Sequence, residues 1–142
     1  MKKLFFLLAV ALIGIAAIPR ETPADTKIIG SWKLLRAQYG DGAMTDQAPD
    51  ERACKMFTGT RWSGTFYNVK AKTFGGSGGG TYTLKGDEYV ETVEYFSWEP
   101  GAAGKKFSFT LKIENALLHQ TGTIEYKGNP KYIVNEWYER ID

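Results

Sequence analysis

Two acidic residues, Glu91 and Glu136, have the clearest chemical potential in this chain, because each can fall on the inner face of a predicted strand. Two carboxylates inside an apolar cavity can acquire separated pKa values and act as an acid and a base. An inward base such as Arg36 can instead neutralise either one, since buried charges are tolerated when they are compensated. Both interpretations stay open, and no catalytic residue is assigned.

Three other sequence features could suggest a functional site, but each has a simpler structural explanation. Residues 75–80 are rich in glycine, but no Gly-Lys-Ser or Gly-Lys-Thr follows, so we expect a mobile loop and not a phosphate-binding loop. His119 is the single histidine; it can be one axial haem ligand, but it shares a face with polar residues and is expected at the surface. Cys54 has no disulfide partner and is expected to be buried. No metal and no cofactor are predicted.

The first residues have the pattern of an export signal. Two lysines precede an unbroken apolar run over residues 4–18, which is shorter than the roughly twenty residues of a membrane-spanning helix. We expect a signal peptide at residues 1–18, a short linker at residues 19–27 and a single domain at residues 28–142. The mature protein is therefore predicted to be secreted or periplasmic, with no stable membrane insertion after cleavage.

The net charge and the length of the mature chain limit the classes of function that we expect. The formal net charge of the whole sequence is +2, so removal of two signal lysines leaves a value near zero, with acids and bases interspersed. A nucleic-acid partner is therefore not expected. The remaining chain of about 120 residues is long enough for one domain with a real core.

The elements that must position these residues are strands. Segments of alternating character recur about every twelve residues, separated by turn-forming Gly, Asp, Asn and Pro, and none has helical periodicity. The pattern predicts an all-β, eight-stranded, antiparallel up-and-down barrel. The predicted strands lie at residues 28–39, 52–58, 61–68, 79–85, 88–97, 105–114, 116–126 and 131–140. Two longer connections, residues 40–51 and 69–78, are expected to form a mouth and a lid.

Alternation also assigns side chains to the inside or the outside, because neighbouring side chains in a strand point in opposite directions. The clearest case is residues 105–114, where apolar and polar side chains alternate throughout. The predicted inward residues of the middle strands are Trp62, Phe66, Tyr82, Leu84, Tyr89, Glu91, Val93, Tyr95, Phe107, Phe109, Leu111 and Ile113. For the last strand, either Tyr132, Val134, Glu136 and Tyr138 point inward, or Ile133, Asn135 and Trp137 do.

Both ends of the domain resemble a known superfamily. Gly30-Ser31-Trp32 opens the first long strand, as the Gly-x-Trp motif does in lipocalins and fatty-acid-binding proteins, and Arg140 ends the last strand. Residues 79–91 and 136–140 further resemble small, secreted, bacterial lipocalin-like proteins of the calycin superfamily. The resemblance implies that Gly30, Trp32 and Arg140 close one end of the barrel, with the guanidinium packed on the indole.

The side chains expected on the inner surface of the barrel then predict a ligand-binding function. Tyrosine and tryptophan offer flat apolar surface with a polar tip, which suits an amphipathic or aromatic ligand, although an ordinary aromatic core has a similar composition. The predicted ligand-binding residues are Arg36, Trp62, Phe66, Tyr82, Tyr89, Glu91, Tyr95, Phe109, Glu136 and Tyr138. The alternatives are a filled barrel that contacts another protein through Phe96 and Trp98, and an enzyme that uses Glu91 and Glu136.

Overall fold

The structure is a computed structural model that describes residues 26–142. The predicted signal peptide at residues 1–18 and most of the predicted linker lie outside the described residues. Within the described part of the chain, no helix is long and apolar enough to cross a membrane.

Nine strands and two short 3₁₀ turns make up the described chain. The strands are β1 (Gly30–Tyr39), β2 (Thr45–Asp46), β3 (Glu51–Phe57), β4 (Arg61–Asn68), β5 (Thr73–Lys85), β6 (Glu88–Phe96), β7 (Lys106–Glu114), β8 (Leu117–Tyr126) and β9 (Asn129–Arg140). The 3₁₀ turns are Thr26–Ile28 and Pro100–Ala102. The predicted all-β class is confirmed.

The strands form a closed antiparallel barrel. Sequential strands from β3 to β9 are neighbours, and β1 pairs with both β3 and β9, which closes the sheet. The two-residue strand β2 pairs with β1 beyond the point where β3 leaves it. The barrel therefore has eight long strands, as predicted, with β2 as a short addition inside the loop expected at residues 40–51.

One end of the barrel is closed by Trp32 and Arg140. Trp32 is buried, and its indole N–H donates a hydrogen bond to the Ile28 carbonyl at 2.8 Å. The Arg140 guanidinium lies 4.3 Å from the centre of the Trp32 ring and donates to the carbonyls of Ile29 at 2.8 Å and Lys27 at 2.6 Å. This is the arrangement that the resemblance implies.

Gly30 is necessary at this end because a larger residue would occupy the space of the guanidinium. A Cβ atom on Gly30 would lie 2.3 Å from an Arg140 nitrogen, and the backbone φ of +137° is one that residues with side chains rarely adopt. The Gly30-Ser31-Trp32 motif and Arg140 thus act as one unit.

The half of the barrel next to this end is filled by aromatic rings and is called the packed half below. The ring centres of Phe57 and Tyr82 are 5.5 Å apart, those of Phe57 and Tyr89 are 5.8 Å apart, and Phe109 lies 6.2 Å from Tyr89. All four residues are buried. Edge-on and tilted ring pairs of this kind add to the stability that burial provides.

The glycine-rich segment is not the mobile loop that the sequence predicts. Residues 75–80 lie inside β5, and the connection before it shortens to a turn at residues 69–72. A Cβ atom on Gly78 would lie 2.5 Å from the Phe96 ring, and one on Gly80 would lie 2.0 Å from the Thr92 carbonyl oxygen. At Gly78 and Gly80, the space that a side chain would need is thus occupied by a ring and by the backbone of β6.

Candidate functional site

A partly open cavity occupies the other half of the barrel, which is called the open half below. Its volume is about 350 Å³, and its lining is mostly apolar and aromatic. Tyr39, Phe96 and Tyr126 line it from the ends of β1, β6 and β8, and these strand ends lie away from Trp32 and Arg140. The cavity therefore opens at the end opposite the closed one.

The floor of the cavity is a layer of three buried polar residues, Lys55, Glu91 and Gln120, called the polar layer below. The Lys55 ammonium forms an ion pair with the Glu91 carboxylate and donates a hydrogen bond to the Gln120 side-chain oxygen at 2.7 Å. The Tyr89 hydroxyl donates to the same carboxylate at 2.8 Å. Each charge is thus compensated, as a buried charge must be.

Aromatic rings surround the Lys55 ammonium. Its nitrogen lies 5.1 Å from the centre of the Trp62 ring, 5.3 Å from that of Tyr89 and 5.6 Å from that of Phe57. These distances are in the range of cation–π attraction, which contributes more when the charge is shielded from water. The rings and the polar layer therefore hold the lysine in one position.

Lys55 was missed as a site residue, although the sequence carries a signal for it. It alternates with Ala53 and Phe57, so these three residues share the inner face of β3. Cys54 then lies on the opposite face and is half-buried, so the prediction of a buried cysteine is wrong. A lysine between two apolar inward residues indicates a buried acidic partner, which is Glu91. The base that compensates this glutamate is therefore Lys55 and not Arg36.

Trp62 has an unsatisfied donor. Its side chain is 6% exposed and lines the cavity, and its indole nitrogen is the buried side-chain atom of the described residues that has no hydrogen-bond partner. A buried tryptophan N–H ordinarily has an acceptor, because leaving it unpaired costs about 1–3 kcal/mol.

Glu136 lies in the cavity wall beside Gln120 of the polar layer, which is its partner in the pairing of β8 with β9, and it is half-buried. The Tyr39 hydroxyl donates a hydrogen bond to its carboxylate at 2.6 Å. Its negative charge also contributes to raising the pKa values of Tyr132 and Tyr138. No lysine or arginine among residues 26–142 forms a salt bridge with it.

The tyrosines around the two carboxylates are neutral at ordinary pH. Burial, followed by the nearby Glu136 carboxylate, raises the pKa of Tyr138 well above the usual value. Burial and then Glu91 do the same for Tyr89. Removing an ionised phenol from water and placing it beside an anion both disfavour ionisation. These hydroxyls are thus available as hydrogen-bond donors.

The mouth of the cavity is lined by aromatic rings. The ring centres of Phe96 and Trp98 are 4.9 Å apart, those of Phe96 and Tyr126 are 6.3 Å apart, and those of Tyr126 and Tyr132 are 4.8 Å apart. All four residues are half-buried and line the cavity. A molecule that enters the barrel from this end must pass these four aromatic side chains.

Most of the sequence-predicted site residues lie together inside the barrel. Tyr82 and Tyr89 lie in the packed half, beneath the polar layer. The first alternative for the last strand is correct, since its inward side chains line the cavity. The predicted residues that line the cavity are Trp62, Phe66, Glu91, Phe109, Glu136 and Tyr138.

Tyr95 points outward, contrary to the prediction. In the pairing of β5 with β6, Gly79 faces Tyr95 but Gly80 faces Val93, so Glu94 is an extra residue in a β-bulge. The bulge reverses the alternation that follows it. Tyr95 is therefore 47% exposed, and Phe96 enters the cavity in its place.

Arg36 is also outside the barrel, and the cause is the same. The pairing of β1 with β9 skips Leu35, which places Arg36 opposite the outward residue Trp137. The guanidinium lies 5.3 Å from the centre of the Trp137 ring, and Arg36 is exposed. It cannot be the inward base that the sequence predicts.

His119 lies on the outer surface of β8. Its ring stacks on Trp137 with the ring centres 3.8 Å apart, and its Nε2 atom lies 2.9 Å from the Asn135 side-chain oxygen. Both partners are outward residues of β9. This placement agrees with the predicted surface position. Within residues 26–142, no group of three or more His, Cys, Asp or Glu residues is arranged to hold a metal ion.

Eight antiparallel strands that enclose an open-ended cavity, with a Trp–Arg pair closing the other end, define a lipocalin-like barrel. The chain is similar to a lipocalin-like protein of known crystal structure from Bacteroides uniformis ATCC 8492, with 20% sequence identity and a TM-score of 0.52. That match covers 81% of this chain and 99% of the other. The predicted resemblance in fold is confirmed, and at this identity the likeness shows the fold alone.

A second solved structure is that of an uncharacterized protein from Bacteroides eggerthii DSM 20697, with 19% identity and a TM-score of 0.47. It covers 77% of this chain and 98% of the other. No family model matches the sequence, and no curated protein matches it either.

Proposed function

We propose that this protein binds a small amphipathic or aromatic molecule inside the open half of the barrel. The observation that carries the proposal is the cavity of about 350 Å³, which has aromatic walls and a few fixed polar groups. Ligand sites ordinarily have volumes of about 300–1,000 Å³ and this kind of lining. The volume is at the small end of that range, so the proposed ligand is compact.

The distribution of side chains supports a binding barrel. Eight-stranded barrels are either filled by side chains or hold one small ligand. Here the rings of Phe57, Tyr82 and Tyr89 fill one half, and the other half is hollow. The N–H of Trp62 has no acceptor among the described residues, and it belongs to a side chain that lines the cavity.

Native mass spectrometry of protein purified from its own host tests this proposal. We expect a bound small molecule that is released on denaturation, and we expect the released compound to raise the melting temperature of the ligand-free protein. A barrel that carries nothing, and whose melting temperature no class of small molecule changes, contradicts the proposal.

The two alternative functions have no specific support. The protein-interaction interpretation requires Phe96 and Trp98 to stand free at the surface, but both residues are half-buried and line the cavity. The enzymatic interpretation requires two available carboxylates, but Glu91 is paired with Lys55 and hydrogen-bonded by Tyr89.

We further propose that binding takes place outside the cytoplasm, in a secreted or periplasmic location. Support comes from the two lysines and the apolar residues 4–18 at the N-terminus. Sequencing the N-terminus of the mature protein from cell fractions tests it. Protein that retains residues 1–18 and fractionates with the cytoplasm contradicts the proposal.

A further inference from the structure

The charges that line the cavity do not balance. The charged lining residues are one lysine, Lys55, and two glutamates, Glu91 and Glu136. Lys55 and Glu91 neutralise each other in the polar layer. The Glu136 carboxylate remains as a net negative charge in the wall, and no cation among the described residues pairs with it.

Neutral hydrogen-bond donors hold the Glu136 carboxylate in place. The Tyr39 hydroxyl donates to it at 2.6 Å, and Tyr132 and Tyr138 lie close enough for its charge to raise their pKa values. Phenol hydroxyls stabilise a carboxylate and fix its orientation, but they do not cancel its charge. The wall therefore presents an oriented anion to the interior of the cavity.

The aromatic mouth suits the same chemistry as Glu136. Tyr132 lies both beside Glu136 and against Tyr126, whose ring centre is 4.8 Å away, and the rings of Phe96 and Trp98 continue this surface. The face of an aromatic ring attracts a cation, and tryptophan and tyrosine do so best. A carboxylate next to several such rings is an arrangement that recognises organic ammonium groups.

An anionic ligand fits the cavity poorly. Lys55 is the single cationic lining residue, but two of its three N–H donors are directed to Glu91 and Gln120, and its charge is already neutralised. A ligand carboxylate would also meet the field of Glu136, and like charges at close range cost free energy.

We infer that the ligand is an amphipathic amine, whose ammonium group pairs with Glu136 and whose apolar or aromatic part lies among the rings of the cavity. This inference rests on the proposed ligand-binding function. The pairing completes the charge balance of the cavity, and it adds a charge-assisted hydrogen bond to the Glu136 carboxylate.

Three probes of matched shape test the charge. Phenethylamine, phenethyl alcohol and 3-phenylpropanoate share a phenyl ring on a short chain but are cationic, neutral and anionic at neutral pH. By isothermal titration calorimetry at low salt, we expect the amine to bind at least about tenfold more tightly than the alcohol. The phenylpropanoate should bind most weakly.

The variant Glu136→Gln locates the charge effect. The amide keeps the shape of the side chain but removes its charge, so we expect the preference for the amine over the alcohol to disappear. Glu125→Gln is the matched control, because Glu125 is an exposed residue of β8 whose removal changes the net charge equally. This control should keep the full preference for the amine. The probe series on the unaltered protein decides the question even if Glu136→Gln does not fold.

The outcomes separate this inference from the proposed function. If the alcohol or the phenylpropanoate binds as well as the amine, the inference is wrong and the binding function stands. If no probe binds, the charge of the compound found by native mass spectrometry tests the inference. A cationic ligand supports the inference. A neutral or anionic ligand overturns the inference but leaves the proposed binding function standing. If no probe binds and the protein carries no ligand, both the inference and the proposed binding function are wrong.

Discussion

The two ends of the barrel differ in how their polar groups are satisfied. At the closed end, the Trp32 indole and the Arg140 guanidinium each donate to backbone carbonyls, and the ring and the cation contact each other. In the open half, the Trp62 indole has no acceptor among the described residues, and Glu136 has no cation. The comparison indicates that the closed end serves stability, whereas the polar groups of the open half are less completely paired among the described residues.

The polar layer separates these two regions. Lys55, Glu91 and Gln120 are buried and lie between the aromatic core and the cavity. Their mutual contacts leave no uncompensated charge at the floor. Substitutions below or within this layer should therefore change stability, and substitutions above it should change binding.

The largest expected effect on stability is that of Lys55→Met. The substitution leaves the Glu91 carboxylate buried without a counter-charge, which should lower the free energy of unfolding by about 3–5 kcal/mol. Urea denaturation followed by tryptophan fluorescence measures it. The double variant Lys55→Met/Glu91→Leu should recover much of the loss, because neither charge remains.

Lys33→Met is the control for that experiment. Lys33 pairs with Glu139 at 2.5 Å on the outer surface, where both side chains are more than a third exposed. Such pairs are worth about 0–1 kcal/mol. A similar cost for the two lysine substitutions would contradict the structural role assigned to the polar layer.

Arg140→Ala should have the next largest effect, confined to stability. The substitution removes hydrogen bonds to two backbone carbonyls and the contact with Trp32, which should cost about 2 kcal/mol. Ligand affinity, measured by calorimetry on folded protein, should not change. Arg61→Ala, which breaks an exposed pair with Glu94, is the control and should cost much less stability than Arg140→Ala. A loss of ligand affinity in Arg140→Ala would contradict the separation of the two ends.

High pH should reduce stability through tyrosines near the polar layer. Burial, and then Glu136, raise the pKa of Tyr138 well above its usual value. The folded state therefore keeps this phenol protonated where the unfolded chain releases the proton. Stability should be fully present below pH about 10 and should fall as the pH rises toward the folded-state pKa.

The urea midpoint of the unaltered protein and of Tyr138→Phe, measured across alkaline pH, checks this prediction. The variant lacks the titrating hydroxyl and should lose less stability per pH unit. An equal decline in both proteins would show that Tyr138 does not contribute.

Trp98→Leu should have the smallest effect on stability and a clear effect on binding. Trp98 lines the mouth of the cavity and contacts Phe96, and loss of an aromatic contact of about 1 kcal/mol corresponds to roughly fivefold weaker binding. Trp137→Leu is the control, since Trp137 lies on the outer surface against His119 and Arg36. Equal affinities for the two variants would argue against the mouth as the entry of the ligand.

Alternation predicted the faces of regular strands and failed where a strand contains a bulge. Phe107, Phe109 and Leu111 are buried as predicted, because β7 is uninterrupted, but Ile113, also predicted to point inward, is 42% exposed near the end of that strand. Arg36 and Tyr95 each follow an extra residue, at Leu35 and Glu94, and point outward. A bulge arises from the pairing between two strands, so the sequence of one strand does not reveal it.

The prediction of a mobile loop at the glycine-rich segment failed for a related reason. Read by itself, a run such as residues 75–80 indicates a flexible loop. In the barrel it lies beside the aromatic side chains of β6, and Gly78 leaves the space that the Phe96 ring fills. Local composition was misleading because the requirement comes from a neighbouring strand.

The sequence by itself determined the eight-stranded barrel, because strand periodicity and turn residues are local features, and the resemblance carried by Trp32 and Arg140 implied its closed end. Only the tertiary structure decided that half of the barrel is hollow and that Lys55 neutralises Glu91. Those outcomes depend on residues that are 36 and 65 positions apart in the polar layer and on bulges that set which side chains enter the cavity. Contacts between distant strands pair Glu91 with Lys55 and leave Glu136 without a lysine or arginine partner among the described residues.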